Sequence, residues 1–184
     1  RDKDIEQLPE IEQLTFNIKA DGVRPIVAGS GPAGMFAGLA LAEAGLKPII
    51  LERGAPVEQR QKDVAAFWQG GELKANSNVQ FGEGGAGTFS DGKLMTGIKK
   101  DKFTAKVLQE FAAAGAPQEI LYLAKPHIGT DKLRLVVKNI RQKILSLGGE
   151  YRFNSQLTGL VIKKDKLTAV KITNEKETYE LPAN

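Results

Sequence analysis

Gly29-Ser30-Gly31-Pro32-Ala33-Gly34 constrains the fold of this chain more than any other segment. It follows the apolar run Arg24-Pro-Ile-Val-Ala28 and opens the Ala-, Leu- and Met-rich run Pro32 to Ala44, which stops at Gly45. Lys47-Pro-Ile-Ile-Leu51 then reads as a second buried strand, ended by Glu52-Arg53-Gly54. Strand, glycine turn, helix and strand within about thirty residues is the unit of a parallel sheet. In a G-x-G-x-x-G turn the first glycine allows the tight bend, the second lets a pyrophosphate approach the backbone, and the third lets helix and strand pack closely. The orphan amides of the helix and its positive dipole end then face the phosphates. Gly29, Ser30, Gly31, Pro32, Ala33 and Gly34 are therefore candidate binding residues for a dinucleotide. Glu52 lies 23 residues after Gly29, near the offset of roughly twenty at which an acid accepts hydrogen bonds from an adenosine ribose. Its charge disfavours a 2′-phosphate, so FAD or NAD is expected over NADP. Motif mechanics alone do not separate those two.

The rest of the chain extends the α/β pattern. Val57 to Gln69 reads as a helix with Pro56 at its first position, and Arg60 on it is a candidate for the cofactor phosphates or else a solvated helical charge. A helix over Phe103, Val107, Phe111 and Ala114 is expected from an Asp101 cap to a stop at Gly115 and Pro117. In residues 131–147, Leu133, Val136, Val137, Ile140, Ile144 and Leu147 form one apolar stripe. After Gly148-Gly149, strands are expected at 150–153, 157–163, 167–173 and 177–181, the tail being an antiparallel meander with tight turns at Lys164-Asp165-Lys166 and Asn174-Glu175-Lys176. The fold class is thus α/β: a doubly wound parallel sheet with a β-meander toward the C-terminus. Residues 1–22 read as an approach segment or the end of an upstream region, and 23–184 as one domain. The two ends read as those of a piece cut from a longer chain.

Composition removes several function classes. The 184 residues contain no cysteine, so the chain itself supplies no disulfide, thiolate metal site, iron–sulfur cluster or cysteine nucleophile, and a reducing cytoplasm fits. Charge is uneven, net −4 over residues 1–92 and net +8 over 93–184. The best basic candidate for nucleic acid, residues 131–147, spreads its Lys and Arg around an apolar stripe and reads as a solvated amphipathic helix, so no nucleic-acid partner is expected. The uncharged run 25–42 is broken at Gly29 to Gly31, and neither half is long enough for a membrane span. Gly87-Thr-Phe-Ser-Asp-Gly92-Lys93-Leu94 fits a P-loop until Leu94, where a magnesium-binding hydroxyl is required, and Val79 to Phe81 would be its short strand. A phosphotransferase is the weaker enzymatic alternative. The lone histidine, His127, has no identifiable carboxylate partner and reads as a structural loop residue.

The run from Gly29 to Gly45, closed by Leu51-Glu-Arg-Gly54, resembles the amino-terminal fingerprint of the glutathione-reductase-like flavoproteins. Ser77-Asn-Val-Gln-Phe-Gly-Glu-Gly-Gly-Ala-Gly-Thr-Phe-Ser-Asp-Gly-Lys-Leu94 and Lys125-Pro-His-Ile-Gly-Thr-Asp-Lys-Leu133 resemble a bacterial family of uncharacterised FAD-dependent dehydrogenases. The resemblance covers roughly residues 24–182. It implies a Rossmann-like FAD-binding domain with a meander inserted between parallel strands, FAD as cofactor and NAD(P)H as a possible electron donor in a longer protein, whose later strand returns to the flavin. It makes Gly82 to Lys93 a flavin-side loop, with Gly84, Gly85, Ala86, Gly87, Ser90 and Lys93 as candidates, and adds Arg53 beside the acid and Leu157 at the first meander strand. No side chain is assigned a catalytic role and no metal site is expected. The non-enzymatic alternative is a module that binds NAD or ADP-ribose without catalysis.

Overall fold

The computed structural model describes residues 22–90, 92–94, 102–123 and 125–183. Most of the 1–22 approach segment, Asp91 and the expected cap Asp101 lie outside them. Three parallel strands, β1 (Ile26–Ala28), β2 (Ile49–Leu51) and β3 (Glu150–Arg152), form one sheet in the order β1-β2-β3. Ile26 pairs with Ile49, and Ile49 in turn with Glu150. Among the described residues four α-helices lie between them in sequence: α1 (Pro32–Glu43), α2 (Val57–Trp68), α3 (Lys102–Ala113) and α4 (Thr130–Ser146). The strand expected at 150–153 therefore closes the parallel sheet. The meander is made of β4 (Gln156–Lys163), β5 (Lys166–Thr173) and β6 (Thr178–Pro182), paired antiparallel in that order.

Side-chain alternation along β2 sorts the layers. Successive strand residues point to opposite faces, and all three residues of β2 are buried. Ile50 enters the large core with Met35, Leu39 and Ala42 of α1 and Val136, Val137, Ile140 and Ile144 of α4. Ile49 and Leu51 point the other way and pack with Val170 and Ile172 of β5, with Leu157, Tyr179 and Leu181 at the margin. The helices thus cover one face of the parallel sheet and the meander the other. The buried residues of α4 reproduce the predicted stripe as far as Ile144, whereas Leu147, at the C-cap, is exposed. Phe103, expected under α3, is also exposed, while Phe111 of the same helix is buried edge-on to Phe36 of α1. Pro56 takes the N-cap of α2 in place of its first helical position. Among the described residues no helix is long and apolar enough to cross a membrane.

Candidate functional site

In an open parallel sheet ligands bind outside the carboxyl ends of the strands. Here those ends carry Gly29 after β1, Glu52 after β2 and Phe153 after β3. The three are laced together: Gly29 N–H donates to the Leu51 carbonyl at 2.7 Å, Glu52 N–H to Arg152 at 2.9 Å, and Ser155 N–H to Glu52 at 2.9 Å. Gly29 has φ +93°, a conformation that suits glycine. Gly34 is fixed by contact, because a Cβ there would stand 2.0 Å from the Gly29 carbonyl oxygen. A Cβ on Gly31, by contrast, would meet nothing within 4 Å. The amides of Gly31, Ala33 and Gly34 donate to no group among the described residues, and Pro32 at the first position of α1 has no amide to offer. The turn is therefore an open cradle with three unspent donors at a helix N-terminus, which fits a diphosphate.

Glu52 is 5% exposed, and its carboxylate lies beside that cradle. Oε2 accepts the Ser30 N–H at 2.8 Å and the Ser30 hydroxyl at 2.9 Å; Oε1 accepts the Gly54 N–H at 2.8 Å. A carboxylate offers about four acceptor positions, so Oε1 retains capacity for a hydroxyl donor such as a ribose. The Ser30 side chain, a candidate ligand contact, is fully buried and turned toward Glu52. Replacing Glu52 by alanine is expected to weaken FAD binding by about 1–3 kcal/mol, the cost of a lost charged hydrogen bond with donors left unpaired. Equilibrium titration of the two proteins measures this, and equal dissociation constants would remove Glu52 from the site.

Arg60 departs from both sequence expectations. It is 0% exposed and meets neither solvent nor the open cradle. Its guanidinium donates instead to the glycine-rich loop: Nε to the Asn78 carbonyl at 2.8 Å, Nη2 to Val79 at 2.9 Å, and Nη1 to Glu83 at 2.6 Å and Gly85 at 2.7 Å, with Gly82 at 3.3 Å. Burial pulls its pKa down to about 10, countered by Glu52 and Glu83, and it remains charged at neutral pH. The loop so gathered lies on the turn. Gly84 N–H donates to the Ser30 carbonyl at 2.8 Å, and a Cβ on Gly85 would come 3.2 Å from Pro32 Cδ. Glu83, at 0% exposure, holds the same loop to the start of α2 through the Val57 N–H at 2.7 Å and to α4 through Arg141 Nη1 at 3.2 Å. Neither Glu83 nor Arg141 was visible as a site residue in the sequence, since each occupies a position that a solvated charge fills equally well.

The remaining candidates are distributed. Ala86 and Gly87 are exposed in a short 3₁₀ turn, Ala86–Phe89. Ser90 donates to the Gly87 carbonyl at 2.8 Å and accepts the Gly92 N–H at 3.2 Å, closing its own loop. Lys93 is exposed and its backbone bridges His127, so the two segments of family resemblance meet there. Arg53 stacks over the Phe81 ring at 3.9 Å, and Leu157 packs between the meander and the parallel sheet. The P-loop alternative fails on architecture: Val79 to Phe81 is not a strand, and Lys93 sits in an antiparallel bridge with His127.

Residues 24–93 match the FAD binding domain family. An uncharacterized protein of Clostridium beijerinckii is 51% identical over 181 residues, covering 97% of this chain and 34% of its own length, so the chain spans about a third of that relative. Among solved structures the fold is similar to a 3-ketosteroid-Δ4-(5α)-dehydrogenase from Rhodococcus jostii (TM-score 0.56, 14% identity, 90% of this chain and 45% of that one). It is also similar to THI4 from Thermovibrio ammonificans (0.51, 15%, 87% and 54%) and to a triple mutant of the flavin-dependent brominase Bmp2 (0.50, 16%, 85% and 36%). Residues 24–93 are thus similar in sequence to a FAD binding domain, and the chain has an α/β fold similar to that of the dehydrogenase, THI4 and the brominase variant.

Proposed function

We propose that the chain is the FAD-binding part of a flavin-dependent oxidoreductase of the cytoplasm. The observation that carries this reading is the cradle at the sheet's carboxyl edge: open space over Gly31, three undonated amides, and the Glu52 carboxylate beside them. In this reading Gly29 to Gly34 hold the diphosphate, Glu52 accepts from the ribose, and Gly84 and Gly85 line the side of the turn. The flavin, when bound, supplies hydride or electron transfer, while the protein contributes position and electrostatics. NAD(P)H as electron donor belongs to the same proposal, as does a small-molecule substrate; nucleic acid and membrane are not partners in it.

The test is the visible spectrum of the purified full-length protein. A flavin band is expected, and it is expected to vanish in Gly31→Val, whose side chain fills the cradle. Because a Cβ at position 31 touches nothing, the apoprotein of this variant should melt within about 0.5 kcal/mol of the parent, as a surface substitution does. A colourless parent protein that cannot be reconstituted with FAD would overturn the proposal. ADP-ribose binding without flavin or reductase activity would point instead to a non-catalytic dinucleotide module.

A further inference from the structure

Behind the phosphate turn sits a buried carboxylate that the cofactor reading does not use. Glu83 lies between Gly82 and Gly84, and the Gly84 amide is bonded to Ser30, the residue next to Gly31. Its Oε2 is held by the Val57 N–H and Arg141, but its Oε1 is buried with no hydrogen-bond partner. The Tyr151 hydroxyl and Arg141 Nε are likewise buried without partners. Charged groups reach Glu83 from the elements packed around it: Glu58 and Arg60 from α2, Glu52 from the end of β2 and Arg141 from α4, with the Tyr151 hydroxyl from β3. Counting Glu83, these are three carboxylates against two guanidiniums, with Lys138 Nζ of α4 3.8 Å from the Glu58 carboxylate as a third cation. A diphosphate at the turn adds negative charge near a carboxyl in a water-poor environment, and like charge nearby favours the neutral form of an acid.

We infer that Glu83 couples dinucleotide binding to proton uptake, the diphosphate binding more tightly when Glu83 is neutral. This rests on the cofactor reading above. Burial pushes the Glu83 carboxyl up to about 7, with Glu58 and Glu52 pushing the same way and the Val57 amide and Arg141 opposing. The proton is therefore exchanged within the neutral range, and affinity falls as pH rises from 6 to 8. The apoprotein carries the same sign. An acid whose folded pKa stands above its ordinary value contributes stability that is complete below about 4.5 and lost as pH rises through about 7. Glu83→Gln keeps an acceptor for the Val57 N–H but cannot ionise, so Glu83 acts here as a positioning residue with a titratable proton.

The experiment titrates deflavinated full-length protein with FAD at pH 6, 7 and 8, parent beside Glu83→Gln, and follows apoprotein melting over the same range and down to pH 4.5. The parent is expected to bind FAD about fivefold more weakly at pH 8 than at pH 6, the low end for coupled sites, and the variant to bind equally at both. The parent's melting temperature is expected to fall relative to the variant's between pH 4.5 and 7. FAD binding by the parent with a flat pH profile, or the same profile in both proteins, overturns the coupling alone. No FAD binding by the parent at any pH overturns the cofactor reading and the coupling with it. Should Glu83→Gln fail to fold, calorimetry of the parent in two buffers of different ionisation enthalpy decides. Net proton uptake near pH 7 supports the inference and none overturns it.

Discussion

Gly34→Ala is expected to cost the apoprotein at least about 3 kcal/mol, the upper end of what overpacking does in a well-filled core. The added Cβ would lie 2.0 Å from the Gly29 oxygen and 3.0 Å from its carbonyl carbon, both backbone atoms, with Val27 Cγ1 at 3.4 Å behind them. No rotamer change relieves a clash between two main-chain segments. Either α1 slides outward, giving up the contacts of Met35 and Leu39 with the core, or the turn after β1 opens and loses the Gly29–Leu51 hydrogen bond. Urea unfolding of the apoprotein measures the effect, with Gly31→Ala as the control because its Cβ meets open space. Equal midpoints for Gly34→Ala and the control would show that Gly34 does not set the approach of α1 to the turn.

Arg60→Met should destabilise by about 3–5 kcal/mol, comparable to breaking a buried charge pair. Methionine keeps much of the side-chain volume, so the loss isolates the guanidinium. Five carbonyls, of residues 78, 79, 82, 83 and 85, would lose their donor, those of 78, 82 and 83 in buried bonds and those of 79 and 85 in part-buried ones, and each buried unpaired polar group costs about 1–3 kcal/mol. The sum overshoots the stated range because Gly82 also accepts the Gly85 N–H, Glu83 accepts the Thr88 hydroxyl, and the loop can relax toward solvent. That relaxation would carry Gly84 off Ser30, so FAD affinity should fall more than tenfold even at temperatures where the variant is folded. Arg60→Lys restores the charge but not the fan of donors, since an ammonium is a point charge with three hydrogens, and little recovery is expected. Unfolding free energies within about 1 kcal/mol of the parent for Arg60→Met would contradict the assigned role.

The contrast between these two positions shows what could be read in advance. Gly29 and Gly34 answer to local demands, a positive φ and a helix crossing its own preceding turn, so their spacing in the chain carries the geometry. The stripe of α4 and the turn at Lys164-Asp165, both at positive φ, are local in the same sense. Arg60 is not. A lone arginine on an amphipathic helix looks the same whether it meets water, a phosphate or the carbonyls of a loop 18 to 25 residues further on. Glu83 is hidden for a related reason: a charged residue among glycines reads as a surface loop until the N-terminus of α2 and Arg141 are seen on either side of it.

The order of residues along the chain by itself determined the β-α-β unit, the open glycine turn, the acid after the second strand and the meander that follows α4, because each depends on contacts within a few residues or on simple periodicity. The tertiary structure alone decided that the meander covers the second face of the parallel sheet, that Ser30 turns inward to Glu52, and that the glycine-rich loop is bound to the turn by Arg60 and Glu83. Those outcomes depend on which distant backbone groups end up out of reach of water, and burial is a property of the packed whole.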